Sequence, residues 1–200
     1  VRKKNHMKTL IHIGQHKTGT TSIQSYLQDN RGDLARHGLY VPLKIAGYGN
    51  PSHFILNVYA LAEDRYSSKK EEIIREKGAG YLSEVEIELK KDIKNIYNEA
   101  LKKKCSRVIW SNEGLYLLNT EKEYKRLIDL FSEHSKEIEV ICCFRGVKSY
   151  RESYKKQLAK QNISLSNNPD SYRYLHSDYF WKAPRGVVPP GVFAGQAPPR

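Results

Sequence analysis

The chain has 200 residues, of which 39% are hydrophobic and 28% charged, a composition typical of one globular domain with a buried core. Its formal net charge of +12 favours an anionic partner, such as nucleic acid, an acidic membrane surface, a polyanionic sugar or a phosphorylated cofactor. No apolar run approaches the roughly 18 residues of a membrane span, and no zinc-ligand spacing or RNA-binding strand motif occurs. We therefore expect neither a membrane span nor nucleic-acid binding.

Strand-like and helix-like apolar patterns alternate along the sequence. In chain order they predict a strand over 7–13, a helix over 20–29, a short extended piece over 39–42, helices over 52–62 and 83–104, a strand over 107–110, a helix over 121–134, a strand over 138–144 and a helix over 147–160. This alternation predicts an α/β fold of three layers, α/β/α, around a central parallel sheet. Ligands of such sheets bind at the carboxyl ends of the strands, so the loops at 14, 111 and 145 are the ones to inspect.

The two ends of the chain and its cysteines carry weaker signals. The N-terminus, VRKKNHMKTLIHIG, is basic and then apolar over only a strand's length, without a cleavage site, so we interpret it as the first strand and expect a cytoplasmic protein. Residues 183–200 hold five of the eight prolines, which predicts a disordered tail after a domain over 1–182; alternatively, the true C-terminal part is missing or replaced. Cys105, Cys142 and Cys143 lack metal-ligand spacing, so we expect buried thiols.

The loop after the first strand reads GQHKTGTT over 14–21. A helix N-terminus that follows a strand offers free backbone N–H groups and the positive end of the helix dipole, which predicts an anion site. A nucleotide-hydrolysing P-loop has lysine directly after its second glycine, but here that position is Thr20, and the lysine is Lys17, inside the loop. Gly14 and Gly19 allow close backbone approach. The threonines add hydroxyl donors, although they would equally suit helix capping.

The two other loops hold an acid and an arginine. Glu113 follows the predicted second strand and is either a general base or an exposed acid that caps the next element. Arg145 closes the third strand, and Ser149 and Ser153 lie four residues apart in the next helix, so both serines can face the same anion as Arg145. The residues alone leave open whether Arg145 binds a second phosphate or pairs with a carboxylate.

Together these stretches resemble the sulfotransferases that use 3′-phosphoadenosine 5′-phosphosulfate (PAPS). IGQHKTGTTSIQSYL is similar to their 5′-phosphosulfate loop, which has a K-x-G-T-T core after the first strand. Arg145 with Ser153 is similar to their 3′-phosphate motif, an arginine that ends a strand and a serine in the next helix. KTGTTSIQ, with SNE after a middle strand, resembles the bacterial sulfotransferase-like branch in particular. The resemblance covers about residues 7–160 and implies a P-loop NTPase-like architecture.

The resemblance also implies a PAPS site without a metal. The residues implied on the 5′ side are Gly14, Lys17, Thr18, Gly19, Thr20 and Thr21, and those on the 3′-phosphate are Arg145 and Ser153. Lys17 would stabilise the leaving oxygen. Family members use a histidine or a glutamate as the base, and the candidates here are Glu113 and His53; His53 is alternatively a surface or capping histidine, and we expect His12 to be structural.

The implied reaction is transfer of a sulfonate group to a hydroxyl, or an amine, on a carbohydrate or other small metabolite. Two other interpretations remain open at this point: a P-loop kinase or nucleotide hydrolase with an atypical loop, and a non-catalytic relative that binds nucleotide or polyanion. Ser22 stands where many family members have an aromatic residue, so no adenine-stacking residue is predicted.

Overall fold

The structure, a computed structural model, describes residues 7–14, 18–49 and 51–160. In chain order the elements are β1 (Lys8–Gly14), α1 (Thr20–Asp29), α2 (Arg31–Arg36), β2 (Leu39–Tyr40), α3 (Ile55–Ala60), α4 (Ser68–Lys77), α5 (Tyr81–Lys102), β3 (Arg107–Ser111), a 3₁₀ helix (Glu113–Leu117), α6 (Glu121–Ser132), β4 (Glu137–Cys143) and α7 (Val147–Lys160). Among the described helices, none has the length and apolar character that crossing a membrane requires.

The four strands form one sheet in the order β2-β3-β1-β4, and every pair is parallel. The prediction of an α/β fold with a parallel sheet is therefore confirmed. Because the strands are parallel, their carboxyl ends lie at the same edge. The register places His12 opposite Ser111 of β3, and Gly14 opposite Cys143 of β4. The three loops selected from the sequence thus leave the sheet on one side.

Helices pack on both faces of the sheet, since successive residues of a strand point to opposite faces. Leu10 and Ile109, paired across β1 and β3, form a small cluster with Leu27 of α1. The next pair, Ile11 and Trp110, lies on the other face in the larger cluster, which α3, α5 and α6 supply. This second face holds most of the core.

Helix α5 shows how the larger cluster is built. Its buried residues recur every three or four positions and so form one apolar face: Val85, Leu89, Ile93, Ile96, Tyr97 and Ala100. Ile87, which also contributed to the helical pattern in the sequence, is 70% exposed on the opposite face. Burial of one face, rather than the number of apolar residues, fixes this helix on the sheet.

Three sequence expectations are corrected. The helix predicted over 52–62 is limited to α3, because the backbone N–H of His53 bonds to the carbonyl of Ser111 and holds the preceding residues as a turn. Helices α2 and α4 were not predicted. Cys105 is buried as expected, but Cys142 and Cys143 are only half-buried, because β4 is an edge strand of the sheet that the described residues form. The boundary predicted at 182 lies outside the described residues.

Candidate anion-binding and catalytic site

The turn between β1 and α1 ends in an uncapped helix N-terminus. Gly19 is the N-cap residue and has a φ of 84°, a left-handed conformation that favours glycine. Since glycine has no side chain that could cap the helix, and the first turn holds no acidic residue, nothing within α1 neutralises the positive end of its dipole. Thr20 is buried at this end, whereas Thr18 is half-buried and Thr21 exposed. The geometry suits an anion.

Gly14 has a steric role in this turn. A Cβ atom on Gly14 would lie 3.0 Å from Oγ1 of Thr18 and 3.2 Å from the carbonyl oxygen of Cys143. It would also lie 3.2 Å from Cγ2 of Thr20. Only glycine therefore lets the loop residues pack this closely against the end of β4. Lys17, the loop cation predicted from the sequence, lies outside the described residues.

Glu113 reaches the N-terminus of α1. The Oγ1 hydroxyl of Thr20 donates a hydrogen bond to Oε2 of Glu113, which is half-buried. The start of the 3₁₀ helix is fixed by Asn112, whose Oδ1 accepts a hydrogen bond of 2.5 Å from the backbone of Gly114. The backbone N–H of Asn112 donates in turn to the carbonyl of His12 at 3.0 Å. The structure thus brings the first and second loops into direct contact.

His53 belongs to the same network, and both of its ring nitrogens form hydrogen bonds with backbone groups. Its Nδ1 accepts a hydrogen bond of 3.0 Å from the backbone N–H of Ser111, and its Nε2 donates to the carbonyl of Pro42 at 3.1 Å. These partners require the neutral ring with its proton on Nε2. Burial lowers the pKa of His53, and Trp110 packs edge-on against the ring at 5.1 Å between ring centres. Protonation of Nδ1 would break the bond to Ser111.

His12 connects three strands beneath the site. Its Nδ1 lies 2.7 Å from Oγ of Ser111 on β3, and its Nε2 lies 3.6 Å from Sγ of Cys143 on β4. Burial lowers the pKa of His12, an effect that the negative charge of Glu113 partly opposes. The expectation of a structural histidine agrees with these contacts, although the charge coupling shows that His12 lies near the candidate base.

Arg145 lies two residues after the end of β4. It is therefore at the same edge of the sheet as the carboxyl end of β1. Its Nε donates a hydrogen bond of 2.5 Å to Oγ of Ser149, and the residue lies on the exposed surface. Ser153 is half-buried one turn further along α7. Of the two serines considered from the sequence, the structure pairs Arg145 with Ser149.

Two buried amides near the site were not singled out from the sequence. Nε2 of Gln24 and Nδ2 of Asn112 have no hydrogen-bond partner among the described residues, although both side chains are more than nine-tenths buried. Gln24 lies one helical turn after Thr20, and Asn112 directly precedes Glu113; these spacings were the available signals. A buried, unpaired donor costs about 1–3 kcal/mol, so each amide requires a hydrogen-bond acceptor from outside the described residues.

Comparison with protein-family models, curated proteins and solved structures finds no match to this chain. Among the described residues, no group of three His, Cys, Asp or Glu side chains could hold a metal ion. What the site itself offers is a helix N-terminus, a carboxylate and an arginine at one edge of a parallel sheet. Such an arrangement can bind anionic groups and accept a proton.

Proposed function

We propose that this chain is a PAPS-dependent sulfotransferase with a P-loop-like, three-layer α/β/α fold. The hydrogen bond between Thr20 and Glu113 carries the proposal, because it joins an anion-binding helix N-terminus to a proton acceptor. The acceptor molecule would be a carbohydrate or other small metabolite with a hydroxyl or amine group. The sequence resemblance supports the same assignment.

The described residues fit the charges of PAPS, which has anionic groups on both sides of its adenosine. The uncapped N-terminus of α1 suits one group, and Arg145 with Ser149 suits the other. Gln24, one helical turn after Thr20, has a buried amide donor without a partner among the described residues. Lys17 and Ser153 stay in the proposal on the strength of the resemblance alone.

In the proposed reaction, the protein binds and orients two anionic groups and removes one proton. When bound, PAPS would supply the sulfonate group that is transferred. Glu113 would accept the proton of the acceptor hydroxyl, a role typically worth about 10²–10⁴-fold in rate. Thr20 holds the Glu113 carboxylate against α1, which orients the base relative to the anion site. Lys17 would compensate the negative charge that develops on the leaving oxygen.

We assign the base to Glu113 rather than His53. A base needs a lone pair within reach of the substrate, and both ring nitrogens of His53 are occupied by backbone groups. His53 is also buried, with a lowered pKa. Its role in the proposal is to position the end of β3, from which Glu113 follows.

Calorimetric titration tests the proposal. The ligands are PAP, the desulfonated cofactor, in the presence of EDTA, and ATP with Mg²⁺. We expect metal-independent PAP binding that Arg145→Ala weakens by about tenfold or more, since a hydrogen bond to a charged group contributes about 1.5–3 kcal/mol. Arg36→Ala is the matched control, because Arg36 is exposed and forms an ion pair with Asp33 on the surface of α2.

The other possible results of this titration would each favour one of the alternative functions or separate the roles of the loop. A preference for ATP with Mg²⁺ would contradict the proposal and favour a kinase or nucleotide hydrolase. Tight PAP binding without sulfonate transfer to any hydroxyl or amine acceptor would favour a non-catalytic binding protein. Lys17→Ala separates the two roles of the loop, because the proposal expects it to slow transfer more than it weakens PAP binding.

A further inference from the structure

A cavity of about 320 Å³ lies among helices α3, α4, α5 and α6, on the face of the sheet opposite α1. Its apolar wall includes Val58, Leu61 and Val85, each almost fully buried. The rings of Tyr59 and Tyr66 also line it. Its volume lies at the lower end of the range of small-molecule sites, about 300–1,000 Å³, and suits a ligand with a single ring.

The charge of this cavity is unusual, since two cations line it. Lys70 is 2% exposed, and its Nζ donates to the carbonyls of Ala62 at 2.6 Å and Arg65 at 2.8 Å. Burial lowers the pKa of Lys70, and the positive charge of Arg126 lowers it further. Two like charges therefore act on each other across a partly apolar space.

Of the two cations, Arg126 has the positive charge that neighbouring groups offset less. Its guanidinium lies 5.0 Å from the ring centre of Tyr59, and one nitrogen is 3.4 Å from the carbonyl of Leu61. Among the described residues, no carboxylate oxygen lies within 4 Å of it. Arg65, by contrast, binds Glu123 at 2.5 Å in the neighbouring interior. Arg126 thus presents a guanidinium, the group best suited to a planar anion.

Two acids also line the cavity but do not neutralise it. Glu86 binds Lys90 at 2.6 Å, so its charge is compensated on the helix surface. Glu63 is exposed, and its charge, with those of Glu123 and Asp64, raises the pKa of Lys70 and so opposes the effects of burial and Arg126. Lys70 and Arg126 are therefore the two cations of a cavity wall that is otherwise formed by apolar, tyrosine and partly exposed polar side chains.

We propose that this cavity binds a small organic anion with one ring, whose carboxylate, sulfate ester or phosphate ester group contacts Arg126. The ring would lie against the apolar wall and the two tyrosines, and the anion would offset the repulsion between Arg126 and Lys70. This site is separate from the edge of the sheet that holds Glu113, and the proposal does not depend on sulfonate transfer.

The test is an NMR titration of the full chain with benzoate, with benzyl alcohol and benzylamine as neutral and cationic probes of similar size. We expect benzoate to bind at least about tenfold more tightly than either. Arg126→Gln should weaken benzoate by at least about tenfold, because it removes a charge-assisted contact. Lys125→Gln, an exposed neighbour on the same helix paired with Asp129, should leave it unchanged. Phenyl phosphate and phenyl sulfate, titrated in the same way, identify the preferred anionic group.

Several outcomes would overturn the proposal. These are equal binding of benzyl alcohol and benzoate, equal effects of Arg126→Gln and Lys125→Gln, or displacement of benzoate by PAP. If Arg126→Gln does not fold, Ser83→Trp replaces it, because Ser83 is an exposed residue of the cavity wall and a tryptophan there would fill the space. Benzoate binding that survives Ser83→Trp would also contradict the proposal.

Discussion

Glu113 and Glu123 stand ten residues apart, and each is bonded to a threonine at the start of a helix, yet their environments differ. Glu123 is fully buried, and its Oε2 accepts hydrogen bonds from Arg65 at 2.5 Å and from the backbone of Asn119 at 2.9 Å. Its Oε1 accepts from the backbone of Ala62 at 2.9 Å. Glu113 is half-buried beside the N-terminus of α1.

The difference separates a structural carboxylate, Glu123, from the carboxylate that we propose as the base, Glu113. Every oxygen of Glu123 has partners from the surrounding chain, including a full counter-charge, so its ionised form is held in the interior. Glu113 is partly exposed at the edge of the sheet where ligands of parallel sheets bind. A base must reach its substrate, and of these two acids Glu113 is the one so placed. The predictions below test this contrast.

The largest effect is expected for Glu113→Gln. We expect sulfonate transfer to fall by about 10²–10⁴-fold, because glutamine cannot accept the proton. The free energy of unfolding should change by less than about 1 kcal/mol, since the amide oxygen still accepts the hydrogen bond from Thr20. Transfer rates and urea unfolding measure the two quantities. Unchanged transfer would remove Glu113 as the base, and a large loss of stability would make it structural like Glu123.

Glu123→Gln should show the opposite behaviour. Removing one partner of a buried ion pair costs about 3–5 kcal/mol, because Arg65 is left without its counter-charge. PAP affinity of the folded protein should be unchanged. The matched control is Glu121→Gln, an exposed acid in the same first turn of α6, for which we expect a loss below about 1 kcal/mol. Equal urea midpoints for the two variants would contradict the contrast.

Of the contacts that these two glutamates make, only the one between Glu123 and Thr120 could have been predicted from a local sequence pattern. The run TEKE over 120–123 is a capping box, and the structure has both of its hydrogen bonds, so the capping role of Glu123 at the start of α6 could have been predicted from the sequence. Its ion pair with Arg65 could not, because the two residues are 58 positions apart and no local pattern links them. The contact of Glu113 with Thr20 is also long-range, and only the parallel topology made their proximity expected.

Helix α4 shows a second reason why part of the fold could not be predicted from the sequence. Its sequence, SKKEEIIREK, is mostly charged, so the apolar period that revealed α5 is too weak there. Ser67 caps it through Lys70, and the buried ammonium of Lys70 holds the preceding loop through backbone carbonyls. Polar contacts of Lys70 with residues no more than eight positions earlier, together with the single buried apolar residue Ile73, hold this element. The same lysine lines the cavity proposed to bind an anion.

The third prediction concerns the histidines behind the site. Burial lowers the pKa values of His12, His53 and His134, whereas the unfolded chain titrates near 6.5. Below about pH 6.5 the unfolded state therefore binds more protons, so the free energy of unfolding falls as the pH falls, by up to about 1.4 kcal/mol per pH unit for each histidine. At pH 6.5 about half of the unfolded-state imidazoles are still protonated, so the slope becomes small only about one pH unit above this value.

Urea unfolding at pH 7.5, 6.5 and 5.5 measures this slope. His53→Gln should reduce it between pH 6.5 and 5.5, because the amide can replace both hydrogen bonds but does not titrate. His37→Gln, at an exposed position, is the control for the loss of an imidazole ring. A His53→Gln slope equal to that of the unmodified chain would show that His53 does not contribute as a buried, neutral ring.

The smallest effects are expected for the two threonines, and they extend the contrast between the glutamates. Oγ1 of Thr120 accepts from the backbone of Glu123 at 3.3 Å, whereas Oγ1 of Thr20 donates to Glu113. Thr120→Val should cost about 1 kcal/mol of unfolding free energy, the usual value of an N-cap, without affecting transfer. Thr20→Val should cost no more than that but should slow transfer, because Glu113 loses the contact that orients it. If both variants changed stability alone, the Thr20–Glu113 pair would be a second structural pair rather than part of a catalytic site.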